Sequence, residues 1–202
     1  MKTIKLYLAG MILMSYSFTS CVVNQSLEKS AVEFKSGKEL TGVFVKKKDG
    51  QVIYYSSLEL VNGAFTAPHL LADGKFKIKA DEILAYQTSS HYAISQELIA
   101  NARKSYISKE TLPGFAVRLI KGKLNVYCKQ YYNGRAAVDE FYIQAGNDGE
   151  INKYTADLMK KLVGENEEAM SFLNDKNDKA SLLNKIQSAA SVYNNFNAVT
   201  QN

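Results

Sequence analysis

The sequence predicts an α+β fold: an antiparallel, β-rich rolled sheet or open barrel, followed by C-terminal helices packed on it. Three observations carry this. Short runs of β-branched and aromatic residues recur from Val32 to about residue 145, often alternating with lysines. Asp49-Gly50, Lys121-Gly122-Lys123 and Asn133-Gly134 separate them, the residue types that close tight β-turns. Beyond Asn147-Asp148-Gly149 the apolar spacing shifts to three and four, the period of a helix. A hydrophobic content of 46% with only two prolines favours a folded product over disorder.

The chain opens with Lys2 and Lys5, an uncharged apolar run from Leu6 to Phe18, and then Thr19-Ser20-Cys21. A basic start, a short apolar stretch and small residues before a cut site form the pattern of an export signal. The run falls short of the roughly 20 residues a permanent membrane span needs. Residues 1–20 therefore read as a leader, and 21–31 as a modified Cys21 with a short tether. Residues 32–196 read as one domain whose helices occupy about 155–196. An ordinary secretory signal with an incidental cysteine, or an anchor left uncut, is the competing reading.

Within the domain, ELTGVFVKKK and QVIYYSSLEL flank Asp49-Gly50 and read as a hairpin. Lys46, Lys47 and Lys48 lie at its tip, a solvated end or a contact for an anionic surface. Segment 61–74, with Gly63, Pro68 and Asp73-Gly74, reads as a turn with a brief extended piece. Phe76, Ile78 and Ala80 alternate with Lys75, Lys77 and Lys79 as a half-buried strand suited to a sheet edge. EILAYQ and a run from His91 to Ile94 add two strands. Residues 96–106 read as a short helix or an irregular connection. Phe115 to Gly146 forms a three-strand antiparallel meander. Thr155 caps a helix that stops at Gly164, a second helical patch surrounds Ala169 to Leu173, and the clearest helix covers 179–196. Its stripe is Leu182, Leu183, Ile186, Ala189, Ala190 and Tyr193.

Charge and chemistry exclude more than they identify. Loss of Lys2 and Lys5 with the leader takes the formal charge from +5 to +3, too little to point to a nucleic-acid partner. With Cys21 modified, Cys128 is the remaining thiol and no internal disulfide can form; its place in LNVYC reads as a small buried hydrophobe. No GxSxG elbow, HExxH, GxGxxG or Walker pattern occurs. The adjacent carboxylates Asp81-Glu82, Asp139-Glu140 and Glu167-Glu168 point to opposite faces of a strand rather than towards a shared substrate. Asn147-Asp148-Gly149-Glu150 lacks the ligands of a calcium loop. No catalytic, cofactor or metal residue is therefore assigned.

Phe18-Thr19-Ser20-Cys21 resembles the lipobox of bacterial lipoproteins, although Phe18 stands where Leu is usual. That resemblance implies a lipid on the Cys21 thiol after removal of residues 1–20. VEFKSGKELTGVFV, DEILAYQTSSHYA, GFAVRLIKGKLNVYCKQYYNG, FYIQAGNDGEI and a final helix with Tyr193-Asn194 resemble an uncharacterised family of exported lipoproteins of the Bacteroides and Flavobacterium group. The resemblance implies a cell-envelope address and one continuous domain, with no chemistry attached. Surface-bound members carry acidic residues directly after the cysteine. Val22-Val23-Asn24-Gln25 departs from this, which favours the periplasmic face of the outer membrane.

The expected function is thus a membrane-anchored envelope lipoprotein acting as a non-enzymatic binding or scaffolding module, with an envelope protein as a candidate partner. One alternative is a small periplasmic enzyme using His69 or His91, the only two histidines. Another is a sheet surface for a peptide or glycan, built from tyrosines such as Tyr54-Tyr55 and Tyr131-Tyr132.

Overall fold

A computed structural model describes residues 40–63, 66–102, 110–175 and 181–199. The expected leader, Cys21, the tether and the extended piece at Val32 and Phe34 lie outside the described residues. Among the described residues eleven strands precede three helices. They are β1 (Phe44–Lys47), β2 (Val52–Tyr54), β3 (Leu58–Val61), β4 (His69–Ala72), β5 (Phe76–Lys79), β6 (Ile83–Gln87) and β7 (Tyr92–Ser95), then β8 (Phe115–Ile120), β9 (Leu124–Tyr132), β10 (Ala137–Ala145) and β11 (Ile151–Lys153). The helices are α1 (Ala156–Val163), α2 (Glu167–Asn174) and α3 (Leu182–Val199). The fold class is the expected α+β.

All pairings between named strands are antiparallel. One sheet runs β11-β10-β9-β8-β7-β6-β1-β2, and a second runs β3-β4-β5. The large sheet curls without closing into a barrel. Ser95 ends β7, and Ile99 bridges Ile151 on β11, four strands away. Four residues reach at most about 14 Å, whereas four strand steps on a flat sheet cover about 19 Å. Only a rolled sheet brings these two together.

Direct cross-strand partners share a face, so the registers sort the side chains. Phe141, Cys128 and Val117 line up across β10, β9 and β8, and Ala93, Tyr86 and Val45 continue the row across β7, β6 and β1. This face is covered twice. The small sheet lays Leu58, Leu70, Ala72 and Ile78 against Val45, Tyr86, Ala93 and Phe115. The helices lay Met159, Val163, Ala169, Ile186, Ala189 and Ala190 against Leu124, Val126, Phe141 and Ile143.

Several local expectations hold for visible reasons. Gly50 (φ +88°) and Gly134 (φ +95°) take the left-handed backbone their turns need. In the second turn Asn133 Oδ1 accepts the N–H groups of Arg135 and Ala136. Thr155 caps α1 by accepting the Leu158 N–H at 3.1 Å.

Other expectations are corrected. QVIYYSSLEL is two strands in different sheets, because Asp73 Oδ1 captures the Ser56 and Ser57 N–H groups at 2.8 and 2.9 Å and draws the chain towards β4. The extended piece within segment 61–74 is a full strand, β4, which His69 opens. Ile151–Lys153 forms an edge strand where only a turn into helix was read. Gln96–Leu98 is a single 3-10 turn, in keeping with the short helix or irregular connection expected over 96–106, of which residues 103–106 lie outside the described residues. α3 covers Leu182–Val199 where 179–196 was expected, residues 179 and 180 lying outside the described residues, and Leu182 is exposed instead of joining the apolar stripe.

Candidate functional site

The other face of the large sheet holds the chemistry. Here β9 presents Asn125, Tyr127, Lys129 and Tyr131, opposite Gln144, Tyr142, Glu140 and Val138 of β10. One row crosses the whole sheet. From the β11 edge it runs Lys153, Tyr142, Tyr127, Arg118. Tyr92 faces Arg118 across β7 and β8, the guanidinium carbon 4.3 Å from its ring centroid. The row then passes through Gln87 and Phe44 to Tyr54.

Its β11 end is an ion cluster. Glu140 accepts hydrogen bonds from Tyr142 Oη and Lys153 Nζ, each at 2.6 Å. Lys129 Nζ lies 3.6 Å from Glu140, with no exposure to solvent, and faces the rings of Tyr131 and Tyr142. Burial pushes the Glu140 carboxyl up, but the bonds from Lys153 and Tyr142 and the charges of both lysines outweigh it, so it ends below its usual value. Burial and the Glu140 carboxylate together raise the Tyr142 phenol. A charge this deep is stable only when paired and hydrogen-bonded. The cluster braces the sheet.

The middle is a polar relay. The Tyr127 hydroxyl, beside the positive charge of Arg118, donates to Gln144 Oε1 at 2.8 Å. Gln144 Nε2 in turn donates to the carbonyls of Asn147 and Gly149 at 3.0 and 2.9 Å, and Asn125 donates to that of Gly146 at 2.8 Å. Burial, above all, lifts the Tyr127 phenol to about 12. Arg118 is half-buried on this face and, among the described residues, makes no ion pair.

Among the described residues, neither histidine is joined to a carboxylate as a catalytic pair would be. His69 is buried, with Nδ1 3.0 Å from the Ala67 carbonyl. His91 comes closer to a catalytic arrangement, with Nδ1 3.0 Å from Ser90 Oγ and Nε2 3.4 Å from the Tyr86 hydroxyl. Yet Ser90 is its chain neighbour on an exposed turn, and neither ring nitrogen is hydrogen-bonded to a carboxylate in any described contact. Thr88 Oγ1 accepts the N–H groups of Ser90 and His91, so the group works as a turn brace. Burial lowers the His91 pKa, opposed by the charge of Glu110. His69 lies on β4 of the small sheet and His91 in the turn before β7 of the large one, and among the described residues no three His, Cys, Asp or Glu side chains form a metal-binding group.

Cys128 is half-buried, and burial first, then Asp139 and Glu110, lifts its thiol to about 12, as suits a packing residue. The consecutive tyrosines divide their work. Tyr55 packs on the core beneath the small sheet while Tyr54 ends the row; Tyr131 faces Lys129 while Tyr132 is exposed. The sequence reading weighed Glu140 only as half of the Asp139-Glu140 pair and passed over Arg118 and Lys129. A lone arginine inside FAVRLI was the available signal. Comparison of the chain with protein-family models, curated proteins and solved structures gave no match.

Proposed function

We propose that this chain is an exported lipoprotein, held by lipid on Cys21 at the periplasmic face of the outer membrane, whose folded part is a non-catalytic binding or scaffolding module. The observation that carries the proposal is Cys21 itself, placed directly after an apolar run and Thr19-Ser20. Two or more acyl chains hold a protein stably where one chain is marginal. The described fold begins at residue 40, so all of it follows the proposed attachment point. No helix among the described residues is long and apolar enough to cross a membrane. The resemblance to exported lipoproteins of the Bacteroides and Flavobacterium group supports the same address.

The binding-module half rests on how the reactive groups are spent. His69 and His91 support main-chain turns, Cys128 keeps its proton, and Glu140 is committed to two lysines and a tyrosine. Intact-mass analysis of protein from envelope membranes tests the anchor: loss of residues 1–20 with added acyl mass is expected, and an unmodified Cys21 overturns it. Pull-down of wild type beside Cys21→Ala tests the module, which requires partners common to both.

A further inference from the structure

We infer that the half-sheet around Arg118 and Tyr92 is a binding site for a sugar acid, a pyranose ring carrying a carboxylate. This deepens the binding-module reading and rests on it.

Arg118, Tyr92, Gln87 and Tyr54 are each partly open to solvent along the one row, with Phe44, 1% exposed, as the floor between the two tyrosines. Phe44 meets Tyr54 edge-on at 5.8 Å between centroids and Tyr92 at a tilt at 6.2 Å, which fixes both rings. Lys46, two residues along β1 from Phe44, adds a second cation on this face.

The charge balance selects the ligand. On this face the strand residues of β2, β1, β6, β7 and β8 include no carboxylate, and Arg118 has no ion-pair partner among the described residues. At the other end of the sheet Lys129 and Lys153 converge on Glu140. A half-buried guanidinium that stacks on one tyrosine and lies beside the hydroxyl of another still has N–H groups to give. Its planar fork matches a carboxylate.

The surroundings select the rest. Tyr92 and Tyr54 are three strand steps apart, about 14 Å, and Gln87 between them offers a donor and an acceptor suited to hydroxyl groups. Flat aromatic bodies with polar tips are suited to ring-shaped polar ligands. An extended peptide would instead take its hydrogen bonds from a sheet edge, whereas Arg118 and Tyr92 lie on central strands.

The test uses the full chain carrying Cys21→Ala, so that no lipid can attach, titrated with tetragalacturonate, with the neutral galactose tetramer and with tetraglutamate. Binding of tetragalacturonate in preference to both others is expected, weakened at least about tenfold by Arg118→Gln or Tyr92→Leu. If either variant melts early, Arg118→Lys is read instead: it keeps charge but loses the fork, and several-fold weakening is expected. No binding by the parent chain, equal binding of the neutral tetramer, or unchanged affinity in the arginine variants overturns the inference. Binding of tetraglutamate alone also overturns it while leaving a binding module. The acyl mass of wild type is a separate readout, so failure here is distinguishable from failure of the anchor.

Discussion

Asn194, near the end of α3, holds the main chain of Leu124 as a neighbouring strand would. Its Oδ1 takes the Leu124 N–H at 2.8 Å, and its Nδ2 donates to the Leu124 carbonyl at 2.9 Å. Gly122 makes room, since a Cβ there would fall inside the Asn194 side chain. The contact ties the last helix to the β8–β9 turn, 70 residues earlier in the chain. Asn194→Ala leaves two main-chain groups without that partner and should cost about 2–3 kcal/mol. Gly122→Ala displaces the same amide. The two should therefore be non-additive in a double-mutant cycle by urea denaturation, and additive losses would show that the clamp is not shared.

The Glu140 cluster makes an asymmetric prediction. Glu140→Gln removes the anion that faces the fully buried Lys129, and breaking such a pair costs about 3–5 kcal/mol. Lys129→Met keeps an apolar stem of similar shape and leaves Glu140 its bonds to Lys153 and Tyr142, so it should stay within about 1 kcal/mol of wild type. Denaturant midpoints for both decide it. Equal losses would mean that the lysine, not the carboxylate, organises the cluster.

What could be read from the chain, and what could not, divides by range. Thr155 and the Asn133-Gly134 turn were legible because each is a local contract between residues two or three apart. The split of QVIYYSSLEL was not legible, since Asp73 captures Ser56 and Ser57 from 17 and 16 residues away. β11 was missed for the same reason: three residues pair only because β10 is there to receive them. The site was the least legible part. Tyr54, Tyr92, Arg118 and Tyr142 share a row only through the registers of the eight-stranded sheet, and no spacing in the sequence encodes that.

Acid should weaken the fold in two separate windows. Burial lowers the His91 pKa from its ordinary 6.5, with Glu110 opposing, so the unfolded chain holds that proton more tightly. The stability linked to His91 is complete above 6.5 and is lost as pH falls through the lower folded value. Glu140 also has a depressed folded pKa, so its contribution is complete above 4.5 and is lost further into acid. The urea midpoint of wild type should fall first below 6.5 and again below 4.5. His91→Asn should flatten the first step, and Glu140→Gln the second.

Cys128 gives the last test, because its reactivity reports the packing of β9 against the helices. Burial and the nearby carboxylates lift its thiol to about 12. At pH 8 about one molecule in ten thousand then carries a thiolate, against about one in four for a free cysteine. In the Cys21→Ala chain it is the only thiol. Its reaction with Ellman's reagent should therefore run about a thousandfold more slowly in the folded protein than in urea. Leu124 and Val126 share its face, beneath Ile186 and Ala190 of α3. Ile186→Ala should open that cover at a cost of about 2–4 kcal/mol and speed the reaction, without changing the rate in urea. Equal rates for the folded and unfolded Cys21→Ala chain would mean that the helices do not seal this face.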